Sequence, residues 1–581
     1  MYETYKKLLK YVPEKRKLAY IAIFLTMIST ILTLISYFYM NEFLKQLIIY
    51  ENLRISWQYA LLIAGCMTVG AILYFIAIIL CHIVGFRLET NLRKRGIEGL
   101  VKSSFKFSDL NASGTIRKII NDNATQTHAI VAHLIPDNTG AVLTPLFVLI
   151  LGFIINLKVG IGLTLLLVLI VAFFKFMKGN QEFMKIYQEA LETLSSETVE
   201  YIRGIQVIKI FGTSLISLKT LHKSIVDYAR YANEYSNSHK RPYVLYQLMF
   251  LGIMAFVIPI TLLIGDKADP ESLAVQMIMF FFLVGVLSTA FMKIMYLSMY
   301  QFQGLAAVDK LEKMYDEMHE DNINFGIIDK FEHYNISFEN VSFGYSDTMI
   351  LENLSFDLEE NRSYAFVGKS GSGKSTIAKL LSGFYKTNKG LIKIGGVSLS
   401  DYSESAIVDN IAFVFQGAKL FKMSIFENVQ LAKPQATYEE VMLALHQAGC
   451  DSIIEKFKDR EHTLIGSKGT YLSGGEKQRI AIARALLKDA KIVILDEASA
   501  SVDADNEHEL QIAFSNLMKD KTVIMIAHRL SSIRTVDEII VLEEGKILER
   551  GRDQELMACN GIYAELQHIY AKANEWRVKN G

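Results

Sequence analysis

The chain has 581 residues, enough for more than one domain, and 51% of them are hydrophobic while only 21% are charged. Its 61 basic and 61 acidic side chains cancel, so net charge gives no reason to expect a nucleic-acid partner. The four cysteines show no CxxC spacing, and therefore suggest neither a zinc site nor a disulfide framework.

Long apolar runs dominate the first half. Residues 18–40 carry no charge over 23 residues, and a membrane-spanning helix needs about 20 apolar residues. A core helix of a soluble protein rarely stays uncharged for so long. Six such runs are present: 18–40, 58–86, 140–156, 159–174, 242–265 and 272–292. We therefore predict an α-helical membrane domain at residues 1–308, with six transmembrane helices in a lipid bilayer.

Basic residues indicate which side of the membrane is cytoplasmic. The N-terminus and the loops 87–139 and 175–241 are rich in lysine and arginine, whereas the other connections are short and carry few. The positive-inside rule then places the N-terminus and both long loops in the cytoplasm of a multi-pass protein of the cytoplasmic membrane. Helical spacing within these loops predicts that the membrane helices continue into the cytoplasm, ending in turns near 107–114 and 210–214.

One lysine interrupts the last apolar region. Lys293 is the only charged residue from Ser272 to Val308. A charge inside a membrane usually faces a cavity or a partner, which makes Lys293 a candidate for the substrate pathway. The alternative is that its long side chain reaches back to the inner membrane interface.

The second half begins with a predicted helical linker at 309–335 and continues as an α/β domain at 336–581. A buried-strand pattern, "SYAFVG", precedes a glycine loop, and "STIAKLLSGFY" follows as a helix. This context predicts a P-loop that binds the phosphates of ATP through backbone N–H groups. Lys374 would reach the β- and γ-phosphates, and the Ser375 hydroxyl would hold Mg²⁺. The loop residues are Gly368, Lys369, Ser370, Gly371, Ser372, Gly373, Lys374, Ser375 and Thr376.

A second apolar strand, "KIVILDEAS", ends in two carboxylates. Asp496 at the strand end is placed to meet Mg²⁺, and Glu497 can accept a proton from water. An Asp-Glu pair after a strand often lies merely at the surface. Together with a P-loop it predicts ATP and Mg²⁺ as cofactors.

The stretch "YLSGGEKQRIAIARALL" resembles the signature of the ABC transporters. Its central residues are Leu472, Ser473, Gly474, Gly475 and Glu476. The resemblance implies that this segment covers ATP bound by a partner subunit.

Four further positions match motifs of the same family. Tyr345, in "VSFGY", is similar to the aromatic residue that stacks on adenine, and Gln416, in "FVFQ", to the Q-loop residue that senses Mg²⁺ and the attacking water. Asp503 matches the D-loop aspartate, and His528, in "IMIAHRL", the switch histidine that contacts the γ-phosphate. The resemblance therefore implies catalytic roles for Gln416, His528, Glu497 and Lys374.

The order of the two halves resembles an exporter-type half-transporter. One P-loop and one signature imply dimerisation with a second half-transporter, and the resemblance favours a heterodimer over a homodimer. The turns near 107–114 and 210–214 resemble the coupling helices that dock on the nucleotide domains. The expected function is ATP-driven movement of a small-molecule substrate by alternating access, with export favoured. A membrane-anchored regulatory ATPase is an alternative.

Two segments depart from the commonest exporter pattern. The sequence reads "SASVD" where many exporters read "TSALD", and residues 466–469 read "GSKG" where many read "GERG". Asp503 is retained, but the missing glutamate puts one cross-dimer contact in doubt. "SASVDADNEHELQ" and "IYAKANEWRV" are similar to a subgroup that imports iron-loaded siderophores as heterodimers, which keeps import open as an alternative.

Overall fold

The computed structural model describes residues 2–177, 181–211, 219–264, 269–345, 348–415, 417–466, 471–496, 504–526 and 533–580. They form two compact units. The first unit comprises Met1–Lys94 and Lys118–Glu312, and the second comprises Arg95–Arg117 and Lys313–Gly581. The predicted division into 1–308, 309–335 and 336–581 stays a prediction. It includes Arg95–Arg117 in the transmembrane domain, whereas this segment belongs to the second compact unit.

The N-terminal half of the chain is built from helices. They are α1 Tyr2–Lys10, α2 Arg16–Ile48, α3 Leu53–Lys102, α4 Phe105–Leu110, α5 Ser113–Lys118, α6 Ala124–Ala129, α7 Ile135–Ile155, α8 Leu157–Met177, α9 Gln181–Arg203, α10 Ile205–Phe211, α11 Lys219–Ile264 and α12 Pro270–Glu320. A 3-10 turn at Pro13–Lys15 precedes α2, and two π-helical turns, Ile119–Asn123 and Ile130–Leu134, flank α6. The first part of the predicted helical linker, up to Glu320, forms the C-terminal end of α12.

The six apolar runs coincide with α2, α3, α7, α8, α11 and α12 in the residues that the structure describes. By length and composition, four described helical segments can cross a membrane: Pro13–Ile48, Leu53–Lys102, Ser113–Ile155 and Pro270–Glu320. Leu157–Ala172 is a shorter apolar helix. The number of six spans stays a prediction.

Close helix packing holds the first unit together. Leu34 of α2, Val148 of α7, Leu163 of α8 and Leu283 of α12 are buried in one apolar cluster. Other apolar side chains of the first unit point outward, among them Phe24 of α2 and Phe75 of α3. In a bilayer such exposure costs little, because lipid tails are as apolar as the side chains themselves.

The second unit contains two sheets. Its strands are β1 Ile336–Gly344, β2 Met349–Leu358, β3 Ser363–Val367, β4 Lys389–Ile394, β5 Val397–Ser398, β6 Ile411–Val414, β7 Ile492–Asp496, β8 Thr522–Ile526, β9 Glu538–Glu543 and β10 Lys546–Gly551. The smaller sheet has the order β2-β1-β4-β5 and is antiparallel. The larger has the order β10-β9-β3-β8-β7-β6 and is parallel from β9 to β6.

Helices cover these sheets. They are α13 Lys374–Leu381, α14 Glu404–Asn410, α15 Ile425–Gln430, α16 Tyr438–Gln447, α17 Asp451–Glu455, α18 Gly474–Lys488, α19 Ala504–Met518, α20 Asp553–Ala558 and α21 Ile562–Asn580. All five residues of β7 are buried. A parallel strand covered on both faces reads as a continuous apolar run, which is why "IVIL" was recognisable in the sequence.

Candidate nucleotide site and membrane cavity

The predicted phosphate-binding motifs meet at one edge of the larger sheet. Strands β3, β8 and β7 are parallel neighbours, so their carboxyl ends lie side by side. Gly368 follows β3, Asp496 ends β7 and Ile526 ends β8. Ligands of open α/β sheets bind outside the carboxyl ends of the strands. This edge is therefore the candidate nucleotide site.

Glycine is required at the P-loop for steric reasons. Gly368 has φ +153°, and a Cβ placed there would lie 2.1 Å from the carbonyl oxygen of Leu542. Gly373 has φ +100°, and its Cβ would lie 2.7 Å from a methyl group of Leu351. Any other residue would be strained in both conformation and packing. The loop can thus turn back tightly between β3 and α13.

Lys374, the first residue of α13, is held inside the loop. Its side chain is buried, with 4% exposed. The ammonium donates to the carbonyl oxygens of Gly368 at 2.9 Å and Lys369 at 2.8 Å. The loop backbone thus fixes a positive charge at the N-terminus of a helix, where anions are already favoured by the helix dipole.

Ser375 and Asp496 come together as predicted neighbours of Mg²⁺. The Ser375 hydroxyl lies 3.2 Å from a carboxylate oxygen of Asp496, which is itself buried. A hydroxyl and a carboxylate are hard oxygen ligands of the kind that Mg²⁺ prefers, and Mg²⁺ at nucleotide sites uses only one or two protein ligands besides phosphate. These two residues fit the ion.

Several predicted residues fall outside the described part of the chain. Gln416, Glu497, Asp503 and His528 are among them. Glu497 directly follows Asp496, and His528 lies two residues beyond the end of β8 at Ile526. Their roles stay predictions.

The candidate adenine platform is within the described residues. The ring of Tyr345 is half-buried and meets Phe343 edge-on, with centroids 5.1 Å apart. The ammonium of Lys379 lies 5.5 Å from the centroid of Tyr345. A cation this close to an aromatic ring is attracted to the negative face of the ring. Stacking of adenine on Tyr345 stays a prediction.

The signature segment begins α18. The Ser473 hydroxyl accepts from the Glu476 N–H at 3.3 Å, and the Glu476 carboxylate accepts from the Ser473 N–H at 2.8 Å. This reciprocal capping box fixes the helix start. Leu472 and Gly475 are buried, whereas Ser473 and Gly474 are exposed. The exposed pair is available to a second molecule.

The carboxyl group of Glu476 is held in its charged form. Burial raises its pKa, but the ammonium of Lys456, which contacts the carboxylate, and the N–H of Ser473 outweigh this effect. The pKa therefore lies below its ordinary value. A charged Glu476 keeps the capping box intact at neutral pH.

The short helix α4 contacts the chain just after α13, within the second unit. The ring of Phe105 stacks on that of Phe384, with centroids 4.9 Å apart, and the Phe105 N–H donates to the Phe384 carbonyl at 2.9 Å. The carboxylate of Asp109 accepts from the Lys379 ammonium and the Tyr385 hydroxyl, each at 2.7 Å. The predicted turn near 107–114 thus lies beside the nucleotide site.

Lys379 contacts both Asp109 of α4 and the ring of Tyr345. Burial lowers the pKa of its ammonium, but Asp109 and Tyr345 outweigh burial and the pKa is raised. The cation therefore persists between the carboxylate of α4 and the ring of Tyr345. Sequence analysis missed Asp109, Lys379 and Tyr385 because none of them belongs to a motif. Only the position of Asp109 in the predicted turn pointed toward it.

Lys293 lies at a cavity of the first unit. The cavity has a volume of about 390 Å³ and is lined by residues of α2, α3, α7 and α12. The Lys293 ammonium is 3.5 Å from a carboxylate oxygen of Asp137, and the Tyr74 hydroxyl donates to the same oxygen at 2.7 Å. This pairing supports the cavity-facing alternative for Lys293 over the interfacial one.

Sequence analysis missed Asp137 and Tyr74. Asp137 lies before the apolar run 140–156, in the part of the loop 87–139 into which the membrane helix is predicted to continue and where α7 begins at Ile135, so no charge pairing with Lys293 is predicted for it. A usable signal was present. A lysine in an apolar helix needs a counter-charge, and Asp137 is an acidic residue that borders an apolar run.

Comparison with known proteins identifies the class. The family model described as ABC transporter matches residues 351–500, and the one described as ABC transporter transmembrane region matches residues 19–299. The chain belongs to the ABC transporter family. This confirms the predicted fold class, a helical transmembrane domain followed by an ABC-type ATPase domain.

Individual relatives differ in what they move. The chain is 44% identical to an ATP-dependent lipid A-core flippase of Pasteurella multocida over 273 residues, which cover 46% of this chain and 47% of the relative. It is 30% identical to the mycobactin import ATP-binding/permease protein IrtA of Mycobacterium tuberculosis over 519 residues, covering 86% of this chain and 58% of the relative. The matched segments thus span about half the length of these curated relatives.

One solved structure covers almost the whole chain. A bacterial Atm1-family ABC exporter superposes with a TM-score of 0.75 and 24% sequence identity, over 96% of this chain and 98% of the other. The similarity establishes the exporter-type fold.

Proposed function

We propose that this chain is an ATP-hydrolysing subunit of a transporter in the cytoplasmic membrane, with its N-terminus and ATPase domain in the cytoplasm. It would move a small molecule by alternating access, with export favoured. The observation that carries the proposal is the convergence of Lys374, Ser375 and Asp496 at one sheet edge, in a chain that also has membrane-spanning helices. That arrangement suits an ATP-hydrolysing domain that drives transport through a membrane domain of the same chain.

Each residue of the site has a separate task in this proposal. Lys374 and the loop amides bind the phosphates, and Ser375 and Asp496 would hold Mg²⁺, which neutralises phosphate charge when bound. Glu497 accepts a proton from the attacking water. Gln416 orients that water, and His528 contacts the terminal phosphate.

The site is completed by a second half-transporter. Ser473 and Gly474 are exposed at the start of α18, where they would cover a nucleotide held by the partner's P-loop. We favour a heterodimer over a homodimer. Tyr345 would stack on the adenine of this chain's own nucleotide.

Helix α4 would couple the motor to the pathway. Its contacts with Lys379, Phe384 and Tyr385 lie directly behind the P-loop helix α13. A change at the bound nucleotide would therefore reach α4 through these side chains, and α4 follows the membrane-spanning α3 after two residues. A second coupling turn is predicted at 210–214, mostly outside the described residues.

Transport by purified protein in sealed vesicles tests the proposal. Inside-out vesicles with ATP outside should accumulate an exported substrate in the lumen, and Lys374→Ala should abolish the accumulation. Substrate-stimulated ATP hydrolysis without any net flux would instead favour the regulatory ATPase. The chain should be co-purified with its partner half, since the proposal predicts an incomplete site without one.

Import is the second candidate function. The resemblance to the mycobactin import protein extends over 86% of this chain, more than the 46% that aligns with the flippase. Alternating access works in either direction, and the sign depends on which state binds substrate better. ATP-dependent loss of preloaded ferric siderophore from the lumen of inside-out vesicles would establish import and overturn export.

A further inference from the structure

The membrane cavity has a wall of hydroxyl groups. They project from α2, α7 and α12 into the space beside Lys293. The side chains are Thr26, Ser29, Thr30, Thr33, Thr144 and Thr289.

The protons of all six hydroxyls are already donated. Ser29 donates to the carbonyl oxygen of Gly70 at 2.7 Å, and the others donate to carbonyls of their own helices at 2.8–3.0 Å. A hydroxyl has one proton to give and two lone pairs to receive. Thr26 and Ser29 are buried, but with their protons engaged the oxygens of Thr30, Thr33, Thr144 and Thr289 can still accept a hydrogen bond from a ligand. In this arrangement the wall offers hydrogen-bond acceptors to a ligand.

Asp137 and Lys293 are the charged residues among the described cavity-lining side chains. Tyr74 and Lys293 both donate to Asp137, so this carboxylate also acts as an acceptor. A ligand of one sign would pair with one member and leave the other, Lys293 or the less exposed Asp137, without its counter-charge. A ligand with both charges can engage both members.

We propose that the cavity binds a zwitterionic group that carries an N–H-bearing ammonium. The ammonium donates to Asp137 and to the hydroxyl oxygens, and the anionic end pairs with Lys293. Apolar lining from Leu34, Met67 and Val286 receives hydrocarbon next to the charged group. A volume of about 390 Å³ is that of a small-molecule site. The proposal rests on the transport function above and names the chemical class of its substrate.

The N–H groups distinguish this class from close analogues. A quaternary ammonium has the same charge but carries three methyl groups in place of N–H, so it is larger and cannot donate to the acceptor wall. A neutral polyol can donate, but leaves the Asp137–Lys293 pair unused. Glycerophosphoethanolamine and glycerophosphocholine therefore form a matched pair of probes.

The test measures stimulation of ATP hydrolysis by the full transporter in nanodiscs of phosphatidylcholine. Each variant is normalised to its own basal rate. The concentration of glycerophosphoethanolamine that gives half-maximal stimulation should be at least about 10-fold lower than that of glycerophosphocholine. The reason is that an ammonium with N–H groups makes charge-assisted hydrogen bonds, which a quaternary ammonium cannot make. A parallel series replaces part of the phosphatidylcholine by phosphatidylethanolamine. A response to the free compound or to the lipid supports the proposal and identifies which form carries the group.

Substitutions then locate the site. Asp137→Asn and Lys293→Met should each raise the half-maximal concentration about 10- to 100-fold, and Thr144→Val about 2- to 10-fold. Two controls match these changes in the same unit. Lys158→Met removes an exposed lysine outside the cavity, and Thr164→Val removes a hydroxyl that donates to its own helix at 2.8 Å in the same way. Neither control should alter the response.

Equal stimulation by the two soluble probes, or equal effects of Thr144→Val and Thr164→Val on the response, would overturn the proposal. So would the absence of any response in a protein whose basal hydrolysis still depends on Lys374. In that last case the motor function stands, and only the substrate class is wrong. If Asp137→Asn or Lys293→Met impairs folding, the isosteric Thr144→Val decides alone.

Discussion

The nucleotide site and the membrane cavity each contain a lysine, yet they position its cation by different means. Lys374 is 4% exposed and its ammonium is held by backbone carbonyls of residues six and five positions earlier. The side chain of Lys293 is 60% exposed, and its partner Asp137 lies 156 residues away. One cation is positioned by its own loop, the other by the packing of two helices.

This difference bears on how each site can change. A charge held by its own backbone keeps its place as long as the loop keeps its glycines. A charge held by a distant side chain is lost or moved by one substitution on another helix. We therefore expect the nucleotide site to tolerate little variation and the cavity to be the part in which substrate choice is set.

The earliest step, nucleotide binding itself, should fail in Lys374→Ala. The substitution removes the cation that the loop backbone fixes, and nucleotide affinity should fall at least about 10-fold, the size of a lost charge-assisted hydrogen bond. Binding of a fluorescent ATP analogue measures this. Lys433→Ala is the matched control, because Lys433 lies outside the loop, is 49% exposed and pairs with Glu440 at 2.7 Å. Equal losses in both variants would contradict local positioning by the loop.

Glu497→Gln should separate binding from chemistry. The substitution removes the proposed base, so turnover should fall by about 10²- to 10⁴-fold, the usual range for general-base catalysis. Lys374 and the loop amides remain, and ATP should still bind and accumulate in a closed dimer. Hydrolysis at the wild-type rate would show that another group accepts the proton. A heterodimer would keep slow residual activity at its second site.

Charge exchange in the cavity sharpens the comparison. Asp137→Lys alone places two cations together and should lower the free energy of unfolding by about 1–3 kcal/mol, less than for a fully buried pair because Lys293 is exposed. Adding Lys293→Asp restores an opposite pair and should recover most of the loss. Thermal unfolding in detergent measures both variants. Additive destabilisation in the double variant would mean that the two side chains do not interact.

The smallest effects are expected at α4. Asp109→Asn weakens the contacts to Lys379 and Tyr385, whereas Tyr385→Phe removes one hydrogen bond to Asp109. The ratio of substrate-stimulated to basal hydrolysis should fall about 2- to 10-fold in Asp109→Asn and less in Tyr385→Phe. Asp109→Asn weakens two hydrogen bonds, one of them to a charged group, whereas Tyr385→Phe removes a single one. An unchanged ratio in Asp109→Asn would exclude coupling through this carboxylate.

Contiguous motifs were the part of the site that sequence could predict. Gly368, Lys374 and Ser375 belong to one loop, and the strand before Asp496 is buried on both faces, so its apolar run was recognisable. The structure adds that Ser375 and Asp496 meet at 3.2 Å. The proposed roles of Gln416, Glu497, Asp503 and His528 rest on the sequence alone.

Contacts between distant residues could not be predicted in the same way. Asp109 and Tyr385 are 276 positions apart, and no pattern in either neighbourhood specifies the other. The Asp137–Lys293 pair depends on which faces α7 and α12 turn toward each other. Hydropathy leaves Asp137 outside the apolar run 140–156, so it gives no sign that this aspartate faces the cavity.

The assignment of Arg95–Arg117 to the second unit has a consequence for synthesis of the chain. Phe105 and Asp109 leave the ribosome long before Phe384 and Tyr385 exist. At roughly 5–20 residues per second, the 276 residues between Asp109 and Tyr385 take about 14–55 s to make. During that interval an aromatic surface is without its native cover. Completion of the ATPase domain, and not of the membrane helices, is therefore the event that closes this segment, and premature termination within residues 110–384 would leave it exposed to chaperones and proteases.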